Sequence, residues 1–516
     1  MRCRKWILGL AFLVALGLGR ASYADNFDEL LQRLAAPPVA VPGAPGKQQE
    51  SAQQRAGQQT DAQQAGVQQA NVQHADVQPN VEDLRSRKAI VDRLREAGPE
   101  GMAELKRRRD ERLRRSQGPP ALEQTLREIN VLTSMMDEVG GARYCSQSGL
   151  YWFTDFDAAK LEASKTGKPI LVLRLLGNLS DEFSCANSRF FRVALYANEE
   201  ISNYLRENYV LMWKTVRPVP KVTIDFGDGR MLERTLTGNS AHYVLTPDGQ
   251  VVDGLPGLFG PREFLRQVKA GAAVARKVHA LPASERQAAL TDWHRFELTR
   301  ALARWETELA AVSPAFVATR AGKARDATPS AVQAAVAAAN PVVTVAAVAA
   351  VTSGAAATPP VAAAKGPFAE LENRLQMLER SMTDELWDAL ALSRLGDSAI
   401  DSSSRMLIQA EAPNAARAGR LAITKRVVED PLLRIVRNLE RSMALDTVKN
   451  EFTLHGKLRL WLAAGLPATA DADRLNELVY DQLFLMPLND PWLGLAPSDV
   501  YTGLTRGGAV VAGKTE

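Results

Sequence analysis

The chain has 516 residues, of which 46% are hydrophobic and only 6% aromatic, and its formal net charge is +4. That length allows more than one domain, while the scarcity of aromatic residues indicates that dense core is confined to parts of the chain. Four basic residues within the first 24 positions account for the whole net charge, so the remainder is neutral, which argues against nucleic acid as a main partner.

Residues 1–24 have the pattern of a secretory signal peptide. Basic residues precede an apolar stretch over 6–19, and the small residues Ser22 and Ala24 stand where a signal peptidase would recognise them. We therefore expect cleavage before Asp25 and an exported protein, periplasmic or secreted. The alternative is an uncleaved membrane anchor, which the short apolar stretch disfavours.

The N-terminal part of the mature chain divides into a spacer and a helical segment. Residues 25–80 are rich in Gln, Ala and Pro and poor in the side chains that a core needs, so we expect a disordered spacer. A short amphipathic helix is expected at its start, over 26–34. Residues 81–140 carry apolar side chains at helical spacing and predict a helical segment.

A basic run lies inside this helical segment. Lys106, Arg107, Arg108 and Arg109 are consecutive, with Asp110 directly after them. One hypothesis is a weak contact with an anionic surface such as envelope lipid. The alternative is a solvated helix face, which a neutral, exported chain favours.

The most informative stretch runs from Lys168 to Phe191. Ile170–Leu175 is a continuous apolar run bounded by Gly and Pro, which predicts a buried strand. Ser184 is a good N-cap residue and predicts a helix directly after it. Cys185 would then lie in the first helical turn, where the helix dipole and the backbone N–H groups favour a thiolate.

Several further elements surround this stretch. Helices are predicted over 157–165, 199–208 and from Pro261, strands over 209–215 and on both sides of a turn at 246–249, and a separate β-hairpin over 221–235. The Gly-Asp-Gly sequence at 227–229 is typical of a hairpin turn. We expect this hairpin to lie near the edge of the sheet that carries Cys185.

This arrangement resembles the thioredoxin-like fold over roughly residues 148–268, the length of an ordinary domain. Trp152, the strand at 170–175, Cys185 at a helix start and the strand–turn–strand at 243–252 carry the resemblance. Members of that family place Cys-x-x-Cys where this chain has Cys-Ala-Asn-Ser, and a cis-proline where it has Ala241. The resemblance implies a central mixed sheet flanked by helices, with a degenerate active site.

The resemblance also nominates catalytic residues. Cys185 is the candidate thiol for thiol–disulfide exchange. Ser188 takes the place of the resolving thiol, and its hydroxyl can hydrogen-bond a thiolate but cannot release a mixed disulfide. His242 would face Cys185 and could polarise it; the alternative is a histidine at a strand end that bonds to the backbone.

The two cysteines that remain after signal cleavage, Cys145 and Cys185, are also a disulfide candidate in an oxidising compartment. Such a bridge would contribute about 3–4 kcal/mol by closing a loop of roughly 40 residues. The alternative is an unbridged thiol at Cys185. No histidine stands at ligand spacing from either cysteine and no nucleotide-binding motif is present, so we predict neither a metal nor a cofactor.

The rest of the chain is predicted to be helix and linker. We assign 141–270 to the thioredoxin-like domain, 271–311 to a helical extension, 312–367 to an Ala/Val/Pro-rich linker, 368–507 to a helical C-terminal domain and 508–516 to a tail. The apolar, proline-broken stretch 483–495 could dock as an extended arm. Alternatively, Trp461 and Trp492 could fill the core of the helical domain.

The sequence thus predicts an α/β thioredoxin-like domain with all-α N- and C-terminal additions and low-complexity linkers. Two functions are consistent with it. The first is a binding or scaffold module whose partner is another envelope protein. The second is a thiol–disulfide oxidoreductase or monothiol protein that uses Cys185. The oligomeric state is left open.

Overall fold

The structure is a computed structural model, and it describes residues 27–36, 81–115, 119–236, 238–313, 368–411, 431–466, 471–495 and 503–504. The predicted signal peptide, nearly all of the predicted spacer and linker, and the tail lie outside the described residues. The chain divides into two compact units, Met1–Val139 and Gly140–Glu516, which we call the first and the second unit. Among the described helices, none combines the length and the apolar character needed to cross a bilayer.

The first unit is helical in its described part, as the sequence predicts for 81–140. Its helices are α1 (27–34), α2 (Val81–Glu96), α3 (Pro99–Arg115) and α4 (Pro119–Gly140). Proline stands at the first position of α3 and of α4, where its missing N–H costs no helical hydrogen bond. Leu105, Leu132 and Met136 are completely buried and belong to the apolar core of this unit.

The second unit begins with the elements of a mixed α/β sheet. The strands are β1 (Trp152–Phe153), β2 (Ile170–Leu175), β3 (Val210–Thr215), β4 (Lys221–Asp225), β5 (Met231–Thr235), β6 (Ala241–Leu245) and β7 (Val251–Pro256). The helices of this part are α5 (Cys145–Ser148), α6 (Phe156–Thr166), α7 (Ala186–Phe190), α8 (Glu199–Asn208), α9 (Pro261–Ala280) and α10 (Ala283–Val312). Most of these bounds agree with the sequence prediction to within one or two residues.

In the described part of the second unit, five strands form one sheet in the order β1-β3-β2-β6-β7. β3 is parallel to both β1 and β2, whereas β6 is antiparallel to β2 and β7 is antiparallel to β6. Every residue of β2 is buried, Arg174 included, and its otherwise apolar sequence is typical of a central strand covered on both faces. The predicted mixed sheet with flanking helices is therefore confirmed.

The hairpin formed by β4 and β5 is a sheet of its own. Gly227 and Gly229 in its turn have φ of 74° and 87°, a left-handed conformation that glycine adopts without steric cost. The base of the hairpin contacts the segment around Cys185, because Lys221 Nζ lies 5.3 Å from the centre of the Phe183 ring and Arg189 donates to Thr235 Oγ1 at 3.0 Å. The expected position of the hairpin is thus observed.

The C-terminal helices belong to the same compact unit as the sheet. They are α11 (Ala369–Arg380), α12 (Asp384–Ser393), α13 (Ser402–Glu411), α14 (Pro431–Lys449), α15 (His455–Ala463) and α16 (Ala472–Leu478), with π-helical turns at Asn450–Leu454 and Val479–Leu483. Their core is built on Trp305 of α10, whose ring stacks on Phe452 at 4.9 Å and on Trp387 at 5.5 Å between centroids.

Buried charges connect these helices to one another. Glu451, only 3% exposed, accepts a hydrogen bond from Arg266 Nη2 at 2.9 Å and forms ion pairs with Arg394, whose Nη1 lies 2.7 Å away, and with Arg304. These three arginines come from different parts of the unit: α9, α10 and the residue after α12. A buried carboxylate is tolerated only when it is paired in this way, so Glu451 fixes how these elements meet.

A second buried ion pair joins the sheet to α15. Asp253 of β7 lies 3.0 Å from His455 Nε2 and 3.4 Å from Arg459 Nη2. Burial by itself raises the pKa of Asp253, but the neighbouring His455 and Arg459 outweigh that effect and hold the pKa below its usual range. The carboxyl group therefore stays ionised in the interior and attaches α15 to the sheet.

We expect the substitution Glu451→Gln to lower the free energy of unfolding by about 3–5 kcal/mol, because it leaves three arginines around a site that has lost its negative charge. Urea titration followed by circular dichroism measures the change. Glu379→Gln is the matched control: Glu379 pairs with Lys457 at 2.7 Å on the surface, and its loss should cost less than about 1 kcal/mol. Equal effects of the two substitutions would contradict the structural role of Glu451.

Candidate functional site

Cys185 lies between the central strand β2 and the short helix α7. It is the N-cap of α7, with φ −57° and ψ 155°, and its N–H donates to the carbonyl of Leu176 at 3.1 Å. The sequence analysis placed Ser184 at the cap and Cys185 inside the first turn, so the prediction is wrong by one residue. Ser184 and Cys185 both lie at the junction between strand and helix, and only the path of the backbone decides which of the two caps the helix.

The sulfur of Cys185 is surrounded by serine hydroxyls. It lies 2.8 Å from Ser240 Oγ and 3.3 Å from Ser188 Oγ. Ser188 Oγ in turn lies 2.8 Å from Ser184 Oγ. All four side chains are completely buried. Ser188 is thus next to Cys185 as predicted, whereas Ser240 was not predicted, because it is 55 residues away in the sequence.

A buried arginine organises the loop that leads to Cys185. Arg192, 3% exposed, donates to the carbonyls of Leu179 at 3.0 Å and Asp181 at 2.6 Å and to Ser184 Oγ at 3.2 Å. Burial lowers its pKa to about 10, so the guanidinium stays charged at neutral pH. Arg192 is not among the residues predicted from the sequence; the signal for it is an arginine within the apolar stretch 190–195.

The loop that carries Ser240 closes over the start of α7. The carbonyl of Gly238 accepts from Asn187 N–H at 3.2 Å, and a Cβ atom on Gly238 would lie only 2.5 Å from the nitrogen of Ala186. Tyr480, which is completely buried, donates its hydroxyl to the carbonyl of Asn239 at 2.8 Å. A residue of the C-terminal region therefore covers the loop next to the thiol.

The C-terminal stretch that contains Tyr480 follows the ends of β2 and β3. Asp473 pairs with Arg174 and, at 2.8 Å, with Lys214 Nζ, and Arg217 donates to the carbonyl of Asp490 at 2.8 Å. The docked-arm interpretation of this stretch agrees with these contacts. The alternative, in which Trp461 and Trp492 fill the core of the helical domain, is wrong for Trp492, which is 45% exposed, whereas Trp461 is half-buried.

His242 has a different partner from the one predicted. Its Nε2 lies 2.7 Å from the Tyr196 hydroxyl, and its ring packs against Phe191 and Phe264 with centroids 4.6 and 5.0 Å away. Among the described residues, no hydrogen bond joins the His242 side chain to Cys185 or to a backbone group. Complete burial lowers the pKa of His242 to about 3, so its imidazole is neutral near pH 7.

The predicted disulfide between Cys145 and Cys185 is not formed; both residues are buried and unbridged. The Cys145 sulfur lies against Gly140, where an added Cβ would come within 2.5 Å of it. The Cys185 sulfur is held by the serines described above. The two side chains therefore occupy separate environments, which sequence spacing does not reveal.

The basic run in the first unit is paired with carboxylates. The pairs are Lys106 with Asp110, Arg107 with Glu104 and Glu111, Arg108 with Glu104 and Asp28, and Arg109 with Asp110. This arrangement favours the solvated, ion-paired helix face. The contact with an anionic surface stays a prediction.

Within the described ranges, no group of three or more His, Cys, Asp or Glu side chains meets in a way that could hold a metal ion. A cavity of about 40 Å³ is lined by four arginines and two glutamates, at the ionic cluster around Glu451. Each arginine already contacts a carboxylate: Arg266, Arg300, Arg304 and Arg459. Charge balance thus disfavours an anion site there.

Comparisons of this chain with protein-family models, with characterised proteins and with solved structures give no significant match. The functional interpretation therefore rests on the geometry around Cys185.

The buried His242 predicts acid sensitivity. Its folded pKa of about 3 lies below the ordinary value of 6.5, so the unfolded chain binds one more proton between those two pH values. Stability is therefore complete above pH 6.5 and falls as the pH decreases. From pH 7 to pH 5 we expect a loss of about 2 kcal/mol from this residue alone.

The measurement is urea unfolding of the wild type and of His242→Phe at both pH values. Phe keeps an aromatic ring in the cavity but cannot bind a proton. The difference in unfolding free energy between pH 7 and pH 5 should thus be smaller in the variant by about 2 kcal/mol. An unchanged difference would contradict the assignment of a neutral, buried His242.

Proposed function

We propose that the second unit is a thioredoxin-like binding module in which the former active-site position has a structural role, and that the protein acts as an exported scaffold. The observation that carries this proposal is the environment of Cys185. Its sulfur is completely buried and hydrogen-bonded to the hydroxyls of Ser188 and Ser240, and the C-terminal region covers the loop next to it. Export rests on the pattern of residues 1–24.

The sheet supports the thioredoxin-like part of the proposal. Three parallel strands and an antiparallel pair in the order β1-β3-β2-β6-β7 agree with the central mixed sheet that the resemblance implies. Helix α6 connects β1 to β2, and Cys185 follows β2 at the start of a helix. The β4–β5 hairpin stands where the family pattern would place a helix. The features that support the proposal are therefore a mixed sheet with helices and a cysteine at the start of a helix that follows the central strand.

The chemistry of Cys185 favours binding over redox catalysis. Thiol–disulfide exchange requires a thiolate that can reach an incoming disulfide. The Cys185 side chain is 0% exposed, the position of a resolving thiol is occupied by Ser188, and Cys145 packs elsewhere. An oxidoreductase would first have to open the cover that Tyr480 provides.

A binding module also needs an accessible surface, and the hairpin offers one. Ile224, Phe226, Met231 and Leu236 are between 43% and 66% exposed. Exposed apolar side chains that are grouped on one element mark interaction surfaces more often than isolated ones do. Another envelope protein remains the partner that we propose for this module.

Thiol labelling separates the two functions. In the native protein we expect a thiol reagent to react slowly with both cysteines, and in denaturant we expect rapid reaction with both, because burial limits access. Cys145→Ser and Cys185→Ser, each tested alone, assign the signals. The oxidoreductase would be favoured by two results together: one thiol of the native protein is labelled rapidly and this signal is lost in Cys185→Ser, and the protein reduces insulin above background.

The cover itself can be tested through Tyr480. Tyr480→Ala should make native labelling of Cys185 at least about tenfold faster, which corresponds to local opening that is easier by about 1.4 kcal/mol. Tyr480→Phe keeps the ring and removes only the hydrogen bond to Asn239, so we expect a smaller effect. Phe484→Ala is the control, since Phe484 packs on Tyr480 at 5.2 Å between centroids but makes no hydrogen bond to the 238–240 loop in the described structure. Equal acceleration by all three would mean general destabilisation instead of a specific cover.

A further inference from the structure

The hairpin leaves one edge of β4 open. Phe226 N–H donates to the Arg230 carbonyl and Leu236 N–H to the Pro220 carbonyl, each at 3.1 Å. Hydrogen-bonded pairs alternate along an antiparallel ladder, so the pairs of Val222 and Ile224 with β5 are also hydrogen-bonded. The N–H and C=O groups of the remaining β4 residues, Lys221, Thr223 and Asp225, consequently point away from β5.

These outward groups are available. In the part of the chain that the structure describes, β4 pairs with β5 alone, and no hydrogen bond connects the backbone of Lys221, Thr223 or Asp225 to another residue. The side chains of all three residues are exposed. An open strand edge of this kind is a template for pairing with another strand.

The sequence of β4 is complementary to itself. On each side of Thr223 the strand has an apolar residue, Val222 or Ile224, and then a charged one. The two charged residues, Lys221 and Asp225, have opposite signs. In an antiparallel pair centred on Thr223, Lys221 of each copy faces Asp225 of the other, and Val222 faces Ile224. Opposite charges and branched apolar residues directly across from one another stabilise a strand pair.

The same register uses every outward backbone group. Two-fold symmetry places Thr223 opposite Thr223 of the second copy and Lys221 opposite Asp225 of the second copy. In each of these pairs both residues point their N–H and C=O groups towards the other strand, as a hydrogen-bonded antiparallel pair requires. The match of backbone direction, charge and apolar side chains is what a closed, isologous interface needs.

We propose that β4 is a self-association edge, through which two copies of this protein form a continuous antiparallel sheet in the order β5-β4-β4-β5. The exposed Ile224 and Phe226, which lie in and directly after β4, add apolar area to the contact. Because the paired segment is short, the dimer is weak and depends on protein concentration.

The other edge of the hairpin is not suited to the same pairing. The outward residues of β5 are Met231, Glu233 and Thr235, and a two-fold pair centred on Glu233 would place two glutamates opposite each other. Like charges at that position are destabilising. The structure thus favours β4 over β5.

Analytical ultracentrifugation of the signal-cleaved chain, over two decades of concentration, tests the proposal with Thr223→Pro. Proline removes the outward N–H of position 223, which β5 does not use, so the hairpin is retained while both central intermolecular hydrogen bonds are lost. We expect the dimer dissociation constant to rise at least about tenfold. Glu233→Pro is the matched control, since it removes an outward N–H from the opposite edge and should leave the dimer unchanged.

Charge exchange gives a second, independent test. Lys221→Asp places an aspartate opposite Asp225 of the second copy and should weaken the dimer by about tenfold. The double substitution Lys221→Asp with Asp225→Lys restores opposite charges and should recover the dimer. A chain that is monomeric at all concentrations, a dimer that neither Thr223→Pro nor Lys221→Asp weakens, or a double variant that fails to recover association would overturn the proposal.

Discussion

The pairing of buried charges is the constraint on which the second unit depends. Asp253 of the sheet contacts His455 and Arg459 of α15, and Glu451 contacts three arginines from other parts of the unit. Removing such groups from water is costly unless their partners are in place. A displacement of the C-terminal helices would leave several charges uncompensated, so these contacts specify one position of the helices on the sheet.

That position determines the environment of the thiol. When α15 is attached to β7, the following segment reaches the ends of β2 and β3, where Asp473 meets Arg174 and Lys214. Tyr480 then covers the loop that holds Ser240 against Cys185. Cys185 thus contributes packing and hydrogen bonds to the interior, and the serine at position 188 together with the closure by the C-terminal region is consistent with the binding function that we propose.

The hairpin is accessible, and its base contacts the covered site. Lys221 and Thr235 at its base contact Phe183 and Arg189, which flank Cys185 in the sequence. The hairpin tip, by contrast, carries the exposed Phe226 and Met231. The described part of the second unit therefore combines a buried thiol with a hairpin that presents apolar side chains and an open strand edge.

The sequence alone determined the local elements, because their signals are local: the apolar run of Ile170–Leu175, the glycine turn at 227–229, and the amphipathic pattern of Glu199–Asn208. It also brought Cys185 and Ser188 together, three residues apart on one helix start. Only the tertiary structure decided the partners of the buried polar groups. Asp253 and Arg459 are 206 residues apart, and the sequence does not distinguish a buried charge from a solvated one. Three other features also depend on how distant segments meet: the cover by Tyr480, the pairing of His242 with Tyr196 and the separation of Cys145 from Cys185.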